Sequence, residues 1–226
     1  MEENKKSLKY FSIISTFFVA TIMISNTVAT KLFSIGPLIF TGGVLIFPIT
    51  YIFGDVLTEV YGYARSRKII WTGFAALIFM SLIYWIVGLL PPAPTWPNQE
   101  AYVAVLGLVP RIVLASIIGY WAGSFSNSFV MAKMKLKTKG KHLWTRTIGS
   151  TIVGEGVDTA LFVLIAFWGL VSGGILVLAI ISGYAFKVVY EVLATPITYK
   201  IVGFLKKAEG IDVYDENTKF SPFNLN

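Results

Sequence analysis

The chain has 226 residues, of which 55% are apolar (AVILMFWYC) and only 14% charged, with a mean hydropathy of +0.71. A soluble domain carries roughly a quarter charged residues, so a water-facing fold is excluded. The absence of cysteine excludes disulfides and thiolate metal sites, and the single histidine, His142, leaves no imidazole cluster for a metal. The net charge of +7 sits in short segments between long apolar runs, which points to a lipid bilayer and not to nucleic acid.

A helix needs about 20 mostly apolar residues to cross the hydrocarbon core. Six such runs predict an all-α membrane protein, six transmembrane helices in one bundle with no separate soluble domain. The first, residues 10–30, is dotted with Ser and Thr and lacks a small-x-small cleavage site, so it is expected to be retained. Gly36-Pro37 marks a turn into the second, residues 38–57, which carries Asp55 and, just beyond it, Glu59. The third, residues 69–90, stops at Pro91-Pro92-Ala93-Pro94. The fourth, residues 103–125, carries Arg111 and can extend to about Met131, because residues 124–128 are polar but hold no breaker. Its Ser116, Gly119 and Gly123 form a small-residue ridge for close helix approach, which permits a homodimer. The fifth, residues 148–168, holds Glu155 and Asp158. A short Gly173-Gly174 connection leads to the sixth, residues 175–195, with Lys187, Glu191 and an exit near Pro196.

Positive charge orients the bundle. Sixteen of the 19 Lys and Arg fall before the first run, between the second and third, between the fourth and fifth, and after the sixth; Lys31 alone falls on the other side. Both termini are therefore expected to be cytoplasmic.

Charged groups inside an apolar span cost about 2.5–3.5 kcal/mol each on insertion scales, so they persist when they pair, line a wet cavity or hold a ligand. At about 1.5 Å rise per residue, Arg111 comes level with Asp158, and Lys187 with Glu155. This predicts those two pairs, or a four-membered network that swaps partners. Asp55 and Glu59 share a helical face; Glu59 is either neutralised by Arg65, Arg67 and Lys68 or functional, and Asp55, one turn deeper, is the better functional candidate. Glu191 is expected to pair locally with Lys187. The acids outnumber the bases, so protons, a cation or a proton-donating ligand must complete the set. A planar base offering adjacent N–H groups suits a carboxylate, and Tyr120, Trp121, Phe162, Trp168 and Tyr184 lie on the same helices to stack on it. His142, in the basic loop, is expected to be solvated. No P-loop, HExxH, DxDxDG or GxSxG pattern occurs, and no enzyme, cofactor or metal centre is expected.

The string Phe47-Pro48-Ile49-Thr50-Tyr51-Ile52-Phe53-Gly54-Asp55-Val56-Leu57-Thr58-Glu59-Val60-Tyr61-Gly62-Tyr63 resembles the queuosine-precursor transporter family, also described as a vitamin-uptake-transporter family. The segment Leu143-Trp144-Thr145-Arg146-Thr147-Ile148-Gly149-Ser150-Thr151 and the following Gly154-Glu155-Gly156-Val157-Asp158-Thr159 resemble it too. Arg111 with Ser116, and Lys187 with Pro196 and Tyr199, match in order and spacing. The resemblance implies an importer in a prokaryotic plasma membrane for 7-deazaguanines, chiefly 7-cyano-7-deazaguanine and its aminomethyl relative. It points to Asp55, Arg111, Arg146, Ser150, Asp158 and Lys187 as recurrent polar positions. Many relatives carry an amide where Glu155 stands, and often Gln followed three residues on by Asp where Ser124 and Asn127 stand. The expected substrate-binding set is Asp55, Arg111, Asn127, Ser150, Glu155, Asp158 and Lys187. The size would also suit the binding subunit of a multi-component vitamin transporter; uptake in cells lacking an ATPase module separates the two.

Overall fold

The computed structural model describes residues 8–35, 38–169, 172–216, 218, 220, 221 and 223. The expected Gly36-Pro37 turn, and Lys5, Lys6 and Lys219 of the charge count, lie outside them. The fold is helical: α1 (Phe11–Val28), α2 (Phe47–Tyr61), α3 (Tyr63–Leu89), α4 (Gln99–Leu106), α5 (Val109–Thr138), α6 (Leu143–Phe167) and α7 (Gly173–Glu209). A short antiparallel hairpin, β1 (Leu32–Ile35) with β2 (Leu38–Thr41), joins α1 to α2. Five segments are long and apolar enough to cross a membrane: α1, α3, α4 together with α5, α6 and α7. Phe17, Phe79, Leu82, Trp85, Leu193 and Ile197 are exposed on their outer surface, as a lipid-facing wall requires. The protein is a multi-pass membrane protein.

The second expected run is helical only in its later part. Leu38–Thr41 is a strand, Gly42–Leu45 a 3-10 turn, and the helix begins only at Phe47. Glycine pairs form helix poorly, and a Cβ on Gly43 would lie 2.9 Å from the Ser25 carbonyl oxygen, so the chain turns tightly against α1. Pro48 then sits in the first turn of α2, where its missing N–H costs no helical bond. The fourth span begins as α4, breaks at Gly107-Leu108 ahead of Pro110, and resumes as α5 through to Thr138, beyond the expected extension. The sixth does not end as a helix at Pro196: α7 runs unbroken to Glu209. Membrane helices tolerate such a proline because hydroxyls help satisfy the backbone, and Thr195 and Thr198 donate to the carbonyls of Glu191 and Ala194 beside it.

Lipid tails are as apolar as leucine, so helices associate here by close packing and polar contacts. The small-residue ridge of α5 meets α6: a Cβ on Gly119 would fall 2.9 Å from the Asp158 carbonyl oxygen, and one on Gly123 would fall 2.7 Å from that of Gly154. Gly154 answers from the other side, where a Cβ would lie 2.8 Å from the Gly123 carbonyl oxygen. On the other face of α5, Tyr120 packs against Tyr51, Phe47 and Phe74 at ring centroid distances of 5.5, 5.4 and 6.0 Å.

The helix ends define two poles. The start of α1 and the end of α7 meet, since Glu209 accepts the Lys9 and Tyr10 amides at 3.0 and 2.6 Å and the Tyr61 hydroxyl at 3.0 Å. Arg65, Arg67, Lys68, the lysines of residues 133–141, Arg146, Lys206 and Lys207 gather at this basic pole. The hairpin, α4 and the α6–α7 connection lie at the opposite pole.

Candidate functional site

A cavity of about 360 Å³ opens in the half of the bundle away from the basic pole. Its walls come from the end of α1, the hairpin region, the start of α2, and the facing halves of α6 and α7; Phe40, Phe47, Phe162 and Phe167 supply aromatic surface. Asp158, Thr159 and Lys187 form its polar end. Lys187 Nζ donates to Asp158 Oδ2 at 2.7 Å and Thr159 Oγ1 at 3.2 Å, and lies 2.9 Å from Glu155 Oε2. It also sits 4.4 Å from the Phe47 ring centroid, over the aromatic face. The geometry follows from helical spacing. Glu155 and Asp158, three residues apart on α6, face one way, and α7 runs antiparallel to bring Lys187 between them.

The expected pairs are therefore rearranged. Lys187 does meet Glu155, but Asp158 is paired with Lys187 and not with Arg111. Arg111 is exposed in the first turn of α5 and donates to the Ile165 and Trp168 carbonyls at 3.4 Å each. Those carbonyls close α6, where unpaired C=O groups carry partial negative charge that attracts a cation. Asp158 lies nine residues before the end of α6, about 14 Å deeper.

Below the cavity comes a second polar tier. Asn127 Nδ2 donates to Asp55 Oδ1 at 2.6 Å; Asp55 Oδ2, Asn127 Oδ1 and both Glu191 carboxylate oxygens are buried with no partner. The expected Glu191–Lys187 pair is thus corrected, because Lys187 turns toward α6 instead. Ser150 is buried and donates to its own helix at the Thr147 carbonyl, 3.0 Å away.

A third tier closes the basic pole. Glu59 takes Arg146 in a two-pronged contact, Nη2 to Oε1 at 2.8 Å and Nε to Oε2 at 3.1 Å. Lys206 Nζ joins Oε1 at 2.6 Å. Lys135 donates to the Glu59 carbonyl at 2.7 Å, Asp212 at 2.6 Å and the Val213 carbonyl at 2.6 Å. Glu59 is thus neutralised, by Arg146 and Lys206 rather than by Arg65, Arg67 and Lys68. Planar guanidinium and carboxylate match in two parallel bonds, which ties α6 to α2, and Lys206 adds α7. Asp212 lies past the end of α7. Burial alone would raise its pKa, but the hydrogen bonds from Lys135 and Lys206 outweigh that and hold it below the usual carboxylate range.

Of the aromatics named for stacking, Phe162 lines the cavity. Tyr120 is committed to the core, and Trp168 is exposed at the far pole. His142 is exposed. Sequence reading missed Asn26 of α1, which lines the cavity and donates to the Ile22 carbonyl at 2.9 Å while its buried Oδ1 has no partner. The signal was present: a carboxamide within the last turn of a lipid-spanning run is expensive unless it is used. Phe40 and Phe47 were missed because an apolar ring in an apolar run carries no mark of its own.

Residues 41–201 match the family described as "Putative vitamin uptake transporter". The "Probable queuosine precursor transporter" of Bacillus subtilis (strain 168) is 30% identical over 146 residues, 64% of this chain and 64% of that protein. The "Queuosine precursor transporter" of Escherichia coli (strain K12) is 28% identical over 155 residues, 69% of this chain and 67% of that protein. The matches thus span about two thirds of the length of these curated relatives. No solved structure matches the chain. With the family matched over most of its length, the chain belongs to the vitamin uptake transporter family, whose description is that of a transporter and not of an enzyme.

Proposed function

We propose that the chain imports queuosine precursors, 7-cyano-7-deazaguanine or 7-aminomethyl-7-deazaguanine, across a prokaryotic plasma membrane. The basic pole faces the cytoplasm, so that both termini are cytoplasmic, and α2 with its lead-in makes a sixth crossing of a single transmembrane domain. The observation that carries this reading is the Lys187–Asp158 pair at the polar end of an aromatic-walled cavity of about 360 Å³, within the range of small-molecule sites. A 7-deazaguanine is a flat ring with adjacent N–H donors on one edge. Asp158 accepts those donors, Asn26 Oδ1 accepts a further one, and Phe47 and Phe162 cover the ring faces. Lys187 holds Asp158 in place. Glu155 stands behind Lys187 as the second carboxylate of the set, where a cationic aminomethyl group would be favoured over a nitrile. Asp55, Asn127 and Ser150 lie nearer the basic pole, on the path the base would follow, and Arg111 holds the outer end of α6 in place.

Uptake of labelled 7-cyano- and 7-aminomethyl-7-deazaguanine into cells expressing the chain, in a host without an ATPase vitamin-uptake module, tests the reading. Accumulation that is lost in Asp158→Asn supports it. Full uptake in Asp158→Asn removes the site, and uptake that requires the ATPase module makes the chain a binding subunit. Competition by the aminomethyl compound should weaken relative to the cyano compound in Glu155→Gln.

A further inference from the structure

The tier beneath the cavity holds more acid than its surroundings can pair. Asp55 of α2, Glu155 and Asp158 of α6 and Glu191 of α7 are all buried, and among the described residues one ammonium, Lys187 of the same helix as Glu191, contacts Glu155 and Asp158. Lys187 donates to Asp158 and Thr159 and lies 2.9 Å from Glu155 Oε2. Glu191 is 1% exposed and its two oxygens have no partner. Asp55 is 0% exposed; one oxygen takes the Asn127 amide and the other has no partner. Glu191 of α7 lies near enough to Asp55 of α2 for their charges to interact. Glu59 itself is occupied by Arg146 and Lys206.

A second observation marks the same place as a ligand site. Asn127, 2% exposed, is held against Asp55 by its Nδ2 and keeps a buried Oδ1 with no donor. The unpaired carboxylate and carboxamide oxygens of Asp55, Glu191 and Asn127 are all acceptors, so a donor would complete them. Buried ionised carboxylates without a counter-charge take up protons or bind a cation. No group of three or more His, Cys, Asp and Glu among the described residues is arranged to hold a metal ion, and a proton completes a lone carboxylate oxygen without a set of ligands around it.

We propose that Asp55 and Glu191 form a proton-binding carboxyl pair, steadied by Asn127, distinct from the cavity and coupled to it through Glu155 and Lys187. A proton from water on one side converts a carboxylate to the neutral acid, and the same proton leaves to water on the other side, so nothing else is consumed. Coupling of this cycle to cargo movement rests on the import reading above; the proton site does not. The route is short. Glu191 is one turn from Lys187, and Lys187 touches the cavity.

Infrared spectroscopy of the purified full-length chain in lipid decides the site, through the carbonyl stretch of a protonated carboxylic acid. The wild type should show this band at neutral pH, and it should lose intensity in Glu191→Gln or Asp55→Asn, two near-isosteric changes on different helices. No band in the wild type, or a band unchanged in both variants, overturns the proposal. In liposomes, initial uptake of labelled 7-cyano-7-deazaguanine should rise several-fold when a pH gradient is imposed, and Glu191→Gln should lose that response. Wild-type uptake indifferent to the gradient overturns the coupling. If the wild type takes up no deazaguanine at all, the cargo assignment fails while the infrared measurement still decides the proton site.

Discussion

Lys187 Nζ lies 2.7 Å from Asp158 Oδ2, and this contact between α6 and α7 sits at the polar end of the aromatic-walled cavity. Removing one partner of a buried ion pair leaves a charge with no compensation, which costs about 3–5 kcal/mol. Lys187→Met strands two carboxylates, Asp158 and Glu155. Its melting temperature in detergent should fall well below that of the wild type, and uptake should vanish. The double variant Lys187→Met with Asp158→Asn should recover part of the stability and none of the uptake.

Asn26 separates binding from folding. Its Oδ1 is buried and unpaired, and an unpaired buried acceptor is a burden on the ligand-free protein. Asn26→Leu should therefore melt at the same temperature as the wild type or higher. If Oδ1 accepts a hydrogen bond from the cargo, worth about 0.5–1.5 kcal/mol, the KM for uptake should rise roughly three- to tenfold. A KM equal to that of the wild type would remove Asn26 from the site.

Glu59 acts as a clasp at the basic pole. It receives Arg146 and Lys206 at 2.8 and 2.6 Å, so Glu59→Gln leaves Arg146 without a counter-charge and Lys206 with Asp212 alone. Loss of about 3–5 kcal/mol is expected for so buried a group, and the denaturation midpoint should fall further than in Asp55→Asn. Equal midpoints for the two variants would contradict a clasp.

Gly123 faces the backbone of Gly154 so closely that an added Cβ would fall 2.7 Å from its carbonyl oxygen. Overpacking of this kind costs about 1–3 kcal/mol. Gly123→Ala should lower the melting temperature by several degrees, whereas Gly203→Ala, on α7 with open space around the added methyl, should leave it unchanged.

Asp212 gives the basic pole a pH dependence. Its pKa is held below the usual range once the hydrogen bonds from Lys135 and Lys206 outweigh burial. A lowered folded-state pKa contributes stability that is present above the unfolded value, about 3.9 for Asp, and is lost as pH falls through the folded value. Melting temperature should therefore drop in acid, and the drop should be shallower in Asp212→Asn. Parallel curves for the two proteins would mean that other carboxylates carry the whole effect.

Membrane insertion is legible in a linear chain because its free energy accumulates residue by residue over a local window. That is why α1, α3, α6 and much of α5 and α7 fall where apolar runs of spanning length occur, and why Asp158, Glu155 and Lys187 stand out as groups that need company. The glycine ridge of α5 was readable for the same reason, since a small-residue repeat is a property of one helix. Partner choice is different in kind. Arg111 and Asp158 come level by arithmetic, yet helix rotation and the pull of the α6 terminus send Arg111 elsewhere, and neither is written in either segment alone. The hairpin before α2 depends on close approach to α1, and α7 passes Pro196 with neighbouring hydroxyls helping to satisfy its backbone. The partners of Glu59 arrive from helices nearly ninety and nearly one hundred and fifty positions away. The ring of Phe47 becomes a cavity wall only once Lys187 is laid against it. Composition thus determines that these helices enter the bilayer and which of their groups resent it; contacts between segments remote along the chain determine which of those groups meet.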